Sequence, residues 1–188
     1  MVDMATADNE DGPDPLEALD HELRERVGGE FRRNAEEDEF VARKAALRRR
    51  DLAQVAYELL SRGDSIRVTI GNTSIRGVLT HARSTLATLS PTEGADVHLN
   101  LAGPLTIDVV ERSPSGGRGR QQFGPDTFIA RLRELELTET PVELLLGFTQ
   151  DRPRGVIEAV SPDHLMLIGE LTHFTPLAWI GGVRRLDS

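Results

Sequence analysis

Five histidines, His21, His81, His98, His164 and His173, are the side chains best suited to acid–base or metal chemistry in this chain. No two His stand at the His-x3-His spacing and no Glu-x-x-His pair falls on an expected helix, so no metal site is read from them. The chain has no Cys, which removes thiolate metal sites, disulfides and cysteine nucleophiles together. Ser113 and Ser115 lie among glycines in SPSGGRGR, yet the Gly-Lys-Ser/Thr ending of a phosphate loop is missing. His98 and His173 each precede what reads as the last strand of a unit, and this symmetry of position points to a structural or interface role. No nucleophile, base and orienting group stand at recognisable spacing. The chain therefore reads as non-catalytic, with no cofactor and no metal.

Arginine is the other side chain with chemistry to offer, since guanidinium groups meet phosphates and stack on bases. Arg43, Lys44, Arg48, Arg49 and Arg50 cluster near the end of a helical stretch, and Arg112, Arg118 and Arg120 decorate a Gly-rich segment. Between residues 62 and 120 seven Arg face five acids, net +2 inside a chain of formal net charge −9. The acidity belongs elsewhere: residues 1–50 carry net −5 and residues 122–188 net −4. Arg48, Arg49, Arg50, Arg76, Arg118 and Arg120 are accordingly the candidate nucleic-acid contacts. Residues 62–120 contain no Phe, Tyr or Trp, so a stacking platform is missing there. The overall acidity disfavours non-specific attraction to nucleic acid or to anionic membrane. No stretch approaches the roughly 20 apolar residues a membrane crossing needs, and the first residues are acidic where a signal peptide is basic. A cytoplasmic protein without membrane contact is expected.

The elements that must carry these residues follow from periodicity. Residues 1–14, polar and acidic, read as a disordered tail. Residues 15–50 read as a helical arm, with Leu16, Leu19, Leu23 and Val27 at helical spacing and a charge-dense stretch running from acids to bases. From about Glu30 the helical pattern runs on to Ser61. Its last part, with Leu52, Val55, Ala56, Leu59 and Leu60, has a full apolar stripe, and Gly63 is placed to cap it. The period then changes to two. Strands are expected at Ile66–Ile70, Ile75–Thr80, Thr85–Leu89, Val97–Leu101 and Leu105–Val110. Residues 112–123 read as a flexible Gly/Ser/Arg linker. A second helix with Phe128, Ile129, Leu132 and Leu135 follows, and then strands at Val142–Leu146, Gly155–Val160, His164–Ile168, Leu171–Thr175 and Leu177–Arg184.

The recurrence has a fixed offset. Adding 76 takes Leu52 to Phe128, Ala56 to Leu132, Ile66 to Val142, Val68 to Leu144, Ile70 to Leu146 and Gly71 to Gly147. The second turn, GFTQDRPRG against GNTSIRG, is two residues longer, and an offset of 78 then pairs Arg76-Gly77-Val78-Leu79 with Arg154-Gly155-Val156-Ile157. A unit of about sixty residues buries a marginal core, and curling its five strands into a barrel removes exposed edge. Curling needs bend points, and Gly77 and Gly155 are assigned to them. The expected domains are therefore a tail (1–14), an arm (15–50), a first unit (51–111), a linker (112–123) and a second unit (124–188).

This pattern resembles the Sm/LSm-like fold, the small barrel of RNA-associated Sm and LSm proteins, an N-terminal helix followed by five bent strands. The resemblance rests on Ile66-Val68-Ile70 with Gly71 and Gly77-Val78-Leu79, and on Val142-Leu144-Leu146 with Gly147 and Gly155-Val156-Ile157. SPDHLMLIG looks like a third strand and FTPLAWIGGVRR like the last two. An actinobacterial family with an arm and two such units is also similar, in keeping with Lys44 being the single lysine. The resemblance implies a mainly β protein with N-terminal helices and two tandem Sm/SH3-like five-stranded barrels, each preceded by a helix. The Asp and Met-Asn residues that line the Sm nucleotide pocket are replaced here by HARSTLATL and AVSPDHLML, so no RNA-pocket residue transfers. Related SH3-type barrels are protein interaction modules. The leading expectation is an adaptor that binds a protein partner through its barrels and arm, with self-association through barrel edges; RNA binding is the alternative.

Overall fold

The computed structural model describes residues 39–114 and 121–186. The chain divides into two compact units, Met1–Arg50 and Asp51–Ser188. In the first, residues 39–48 form an exposed helix, α1. The tail, the start of the arm and residues 115–120 of the linker lie outside the described residues.

The second unit begins with α2 (Leu52–Arg62). The Asp51 side chain caps it, accepting from the Gln54 N–H at 2.7 Å, and this cap separates α2 from α1 where the sequence reads one continuous helical stretch. Gly63, left-handed at φ 70°, closes the far end with its N–H on the carbonyls of Leu59 and Leu60. Ala56, Leu59 and Leu60 face inward. Ten strands follow: β1 (Ser65–Ile70), β2 (Thr73–Arg83), β3 (Leu86–Pro91), β4 (Val97–Asn100), β5 (Thr106–Glu111), then, after α3 (Phe128–Leu137), β6 (Pro141–Leu146), β7 (Arg154–Val160), β8 (His164–Ile168), β9 (Thr172–Pro176) and β10 (Ile180–Arg185). A 3₁₀ turn, Leu177–Trp179, sits where the sequence pattern extends the last strand.

All ten strands are antiparallel and lie in one open sheet, ordered β5-β1-β2-β3-β4-β10-β6-β7-β8-β9. This corrects the expectation of two separate closed barrels. The joint is β4 against β10, with Gly182↔Leu99, Val183↔His98 and Arg184↔Val97 in register. Each half thus satisfies an edge of the other instead of closing on itself, and one ladder removes two exposed edges. Nor are the helices confined to the N-terminal region, because α3 lies between β5 and β6.

The two halves share their cores. One cluster holds Ile66, Val68, Ile70, Leu89 and Leu99 under α2, and the other holds Leu144, Ile157, Leu165 and Leu167 under α3. Leu145 from β6 packs into the first cluster and Leu86 from β3 into the second. The Phe128 N–H also donates to Thr85 Oγ1 at 3.1 Å, tying the start of α3 to the first half.

Candidate interaction surface

Among the described residues the sheet has two strands with a partner on one side only, β5 at one end and β9 at the other. The β9 end carries large apolar side chains in the open: Phe148 is 73% exposed, Leu171 69%, Phe174 66% and Trp179 50%. The sequence delivers Phe174 from β9 itself and the other three from turns. Phe148 stands in the longer turn between β6 and β7, Leu171 between β8 and β9, and Trp179 in the 3₁₀ turn after β9. Phe148 and Trp179 meet edge to face with ring centres 6.2 Å apart, the arrangement aromatic quadrupoles favour. Beside them runs an open groove of about 810 Å³ floored by Leu146 and flanked by Phe174, Leu171, Trp179, Arg152 and Arg154.

The arginines in this groove are already engaged. Arg152 donates to Thr73 Oγ1 at 2.9 Å. Arg154 donates to Glu143 Oε1 from Nε at 3.0 Å and from Nη2 at 2.7 Å, while Arg184 holds Glu143 Oε2. Glu143 is fully buried; burial pushes its pKa up, but the hydrogen bonds from Arg154 and Arg184, with their charges, outweigh that and hold it below the ordinary carboxylate value. The groove therefore offers apolar contact and a strand edge rather than a free cationic site.

The residues with acid–base potential are tied into structure. His81 on β2 is buried, with its ring nitrogens 2.9 and 3.0 Å from the carbonyl oxygens of Gln122 and Pro125. Together with the Gln122 N–H on the Thr80 carbonyl, it docks the end of the linker on β2. His98 on β4 lies 3.1 Å from Thr88 Oγ1 at the joint between halves. Desolvation, then the nearby charges of Arg131, Arg185 and His81, lower its pKa to about 4. His98 and His173 do not occupy matching positions: Thr88↔His98 corresponds to Met166↔Phe174, and His173 matches Val97. Among the described residues no three His, Asp or Glu side chains converge as a metal-ligand set.

The six arginines of the nucleic-acid reading are distributed differently. Arg48, Arg49 and Arg50 are exposed at the end of the Met1–Arg50 unit. Arg118 and Arg120 lie outside the described residues. Arg76, on β2, donates to Ser65 Oγ at 3.2 Å and pairs with Glu111 at 3.5 Å. Gly77 and Gly155 stand where β2 and β7 cross closely over their neighbours. A Cβ on Gly77 would overlap the Ser90 carbonyl oxygen, and one on Gly155 would overlap that of Ile168. Their role is to permit this approach.

Sequence reading did not single out Phe148, Leu171 or Phe174, and it placed Trp179 in a strand. The available signal was the two-residue excess in GFTQDRPRG, the turn that carries Phe148, which meets Trp179. Neither protein-family models, nor curated proteins, nor solved structures give a match to this chain.

Proposed function

We propose that this chain is a non-catalytic interaction protein that binds a protein partner at the β9 end of its sheet. One observation carries the reading: Leu171, Phe174 and Trp179 stand exposed around a groove, with Phe148 against Trp179, beside a strand edge that has no partner among the described residues. A contiguous apolar patch of this kind marks interaction sites, and an open edge supplies main-chain hydrogen bonds to an added strand. Trp179 and Phe148 are the anchor residues, since aromatic side chains dominate such contacts. The arm, whose described part is the exposed helix α1, adds a second contact surface. The recurrence of β5-β1-β2-β3-β4 as β10-β6-β7-β8-β9 supports reading each half as an Sm-like unit, used here for protein contact in a cytoplasmic setting.

The test is a pull-down from native lysate, with and without nuclease, comparing the natural chain with Phe148→Ser/Trp179→Ser. Both side chains are largely outside the cores, so the variant keeps its circular dichroism and melting behaviour. Partners that survive nuclease and are lost in the variant support the reading. A captured set that vanishes with nuclease overturns it in favour of RNA, with Arg48→Ala, Arg49→Ala, Arg50→Ala and Arg118→Ala, Arg120→Ala as the follow-up variants and a steep salt dependence as the signature.

A further inference from the structure

The joint between the two halves is a template for what the open ends can bind. Strand β1 pairs with β5 through Thr69↔Thr106, Val68↔Ile107 and Arg67↔Asp108, and β6 pairs with β10 through Leu145↔Gly182, Leu144↔Val183 and Glu143↔Arg184. With β1 and β6 related by the offset of 76, Thr106, Ile107 and Asp108 of β5 are the counterparts of Gly182, Val183 and Arg184 of β10. At the other edge, β3 pairs with β4 through Ala87↔Leu99, Thr88↔His98 and Leu89↔Val97, and β8 pairs with β9 through Leu165↔Thr175, Met166↔Phe174 and Leu167↔His173. Strands β2 and β7 fix this correspondence. Leu79↔Leu89 and Ile157↔Leu167 are each followed by the same register shift. Thr175, Phe174 and His173 are thus the counterparts of Leu99, His98 and Val97. The sheet ends on one side with a strand like β10 and on the other with a strand like β4, and β10 and β4 pair with each other.

We infer that the partner at the β9 edge is the β5 edge of a second copy of this chain, paired antiparallel with Thr106↔Thr175, Ile107↔Phe174 and Asp108↔His173. This rests on the interaction reading above and names the occupant of that surface. The side chains brought opposite each other suit the pairing: hydroxyl with hydroxyl, aliphatic with aromatic, and acid with imidazole. The groove has a matching explanation. Ile70, 1% exposed, is met by Gly181 and Gly182 of β10, and its counterpart Leu146, 8% exposed, lines the open groove. The groove is the place that β10 fills at the internal joint. A Cβ on Gly181 would press on Ile70 Cγ2 at 2.6 Å, which marks how closely β10 lies on Ile70 at the internal joint. The contact is head to tail, so copies add in one direction until a ring closes or a filament grows.

The experiment uses the full chain, which has no native Cys. Two single variants, Ile107→Cys and Phe174→Cys, are oxidised separately and as an equimolar mixture, and the natural chain is weighed by light scattering over a concentration series. The inference expects a mass of several chains at high concentration, no disulfide-linked species from either variant alone, and a linked pair from the mixture. Phe174→Cys linking to itself, or a single-chain mass throughout with no linked pair in the mixture, overturns it. In that last case the Phe148→Ser/Trp179→Ser pull-down still decides the broader reading independently. Asp108→Lys serves as a surface control that leaves both cores intact. It is expected to lower the assembled fraction at least tenfold, with recovery when His173→Glu is added, and assembly unaffected by Asp108→Lys contradicts the register.

Discussion

Glu143 ties β6 to its two neighbouring strands, because its buried carboxylate is held by two guanidinium groups drawn from β7 and β10. Exchanging Glu143→Gln removes the charge from those hydrogen bonds, and hydrogen bonds to charged groups contribute more than neutral ones. A loss of about 2 kcal/mol in urea denaturation is expected; an unchanged midpoint contradicts the role assigned to it. His98 makes a prediction of the opposite origin. The unfolded chain takes up a proton at this position below pH 6.5, whereas the folded chain refuses it down to about 4. Stability therefore falls as pH drops from 6.5 to 4, by about 3 kcal/mol for a shift of this size, and levels off below. His98→Gln flattens that slope. Glu143 adds its own loss further down, as pH falls below the ordinary carboxylate range and through its lowered folded value. A His98→Gln chain that keeps the full slope between pH 6.5 and 4 contradicts the assignment.

Elements were legible in the sequence wherever a period and a stop coincided. Ile66, Val68 and Ile70 alternate up to Gly71, and β1 ends at Ile70; the stripe from Leu52 to Leu60 ends at Gly63, and α2 runs from Leu52 to Arg62. The joint between halves was not legible. Neither Val97-His98-Leu99-Asn100 nor Ile180-Gly181-Gly182-Val183 carries a pattern that names its partner strand, and only three-dimensional register reveals that they meet. Phe148 and Trp179 escaped for a related reason, since turns carry no period and their proximity is set by the strands that support them. Gly77 and Gly155 give the elements a matched test. Alanine at either position drives a methyl group into a backbone carbonyl of the neighbouring strand, which cannot move without breaking its ladder. Each change is expected to cost about 2 kcal/mol or more in thermal or urea unfolding. Indifference at both positions contradicts the packing described.

As a whole molecule, the Asp51–Ser188 unit is a ten-stranded sheet that has closed one of its joints internally and has left the matching strands at its two ends open. The leucines exchanged between cores, Leu86 and Leu145, make the two halves one cooperative body, so a single unfolding transition is expected for this unit. No helix among the described residues is long and apolar enough to cross a membrane. The central claim is that the ends of the sheet are contact surfaces and the middle is already satisfied. Amide hydrogen exchange of the full chain across a dilution series tests it most directly. The account predicts slow exchange in β4 and β10 at every concentration, with fast exchange in β5 and β9 in dilute solution that slows in both strands together as the chain is concentrated. Exchange in β5 and β9 that stays the same across the series, or exchange in β4 as fast as in β9, would contradict it.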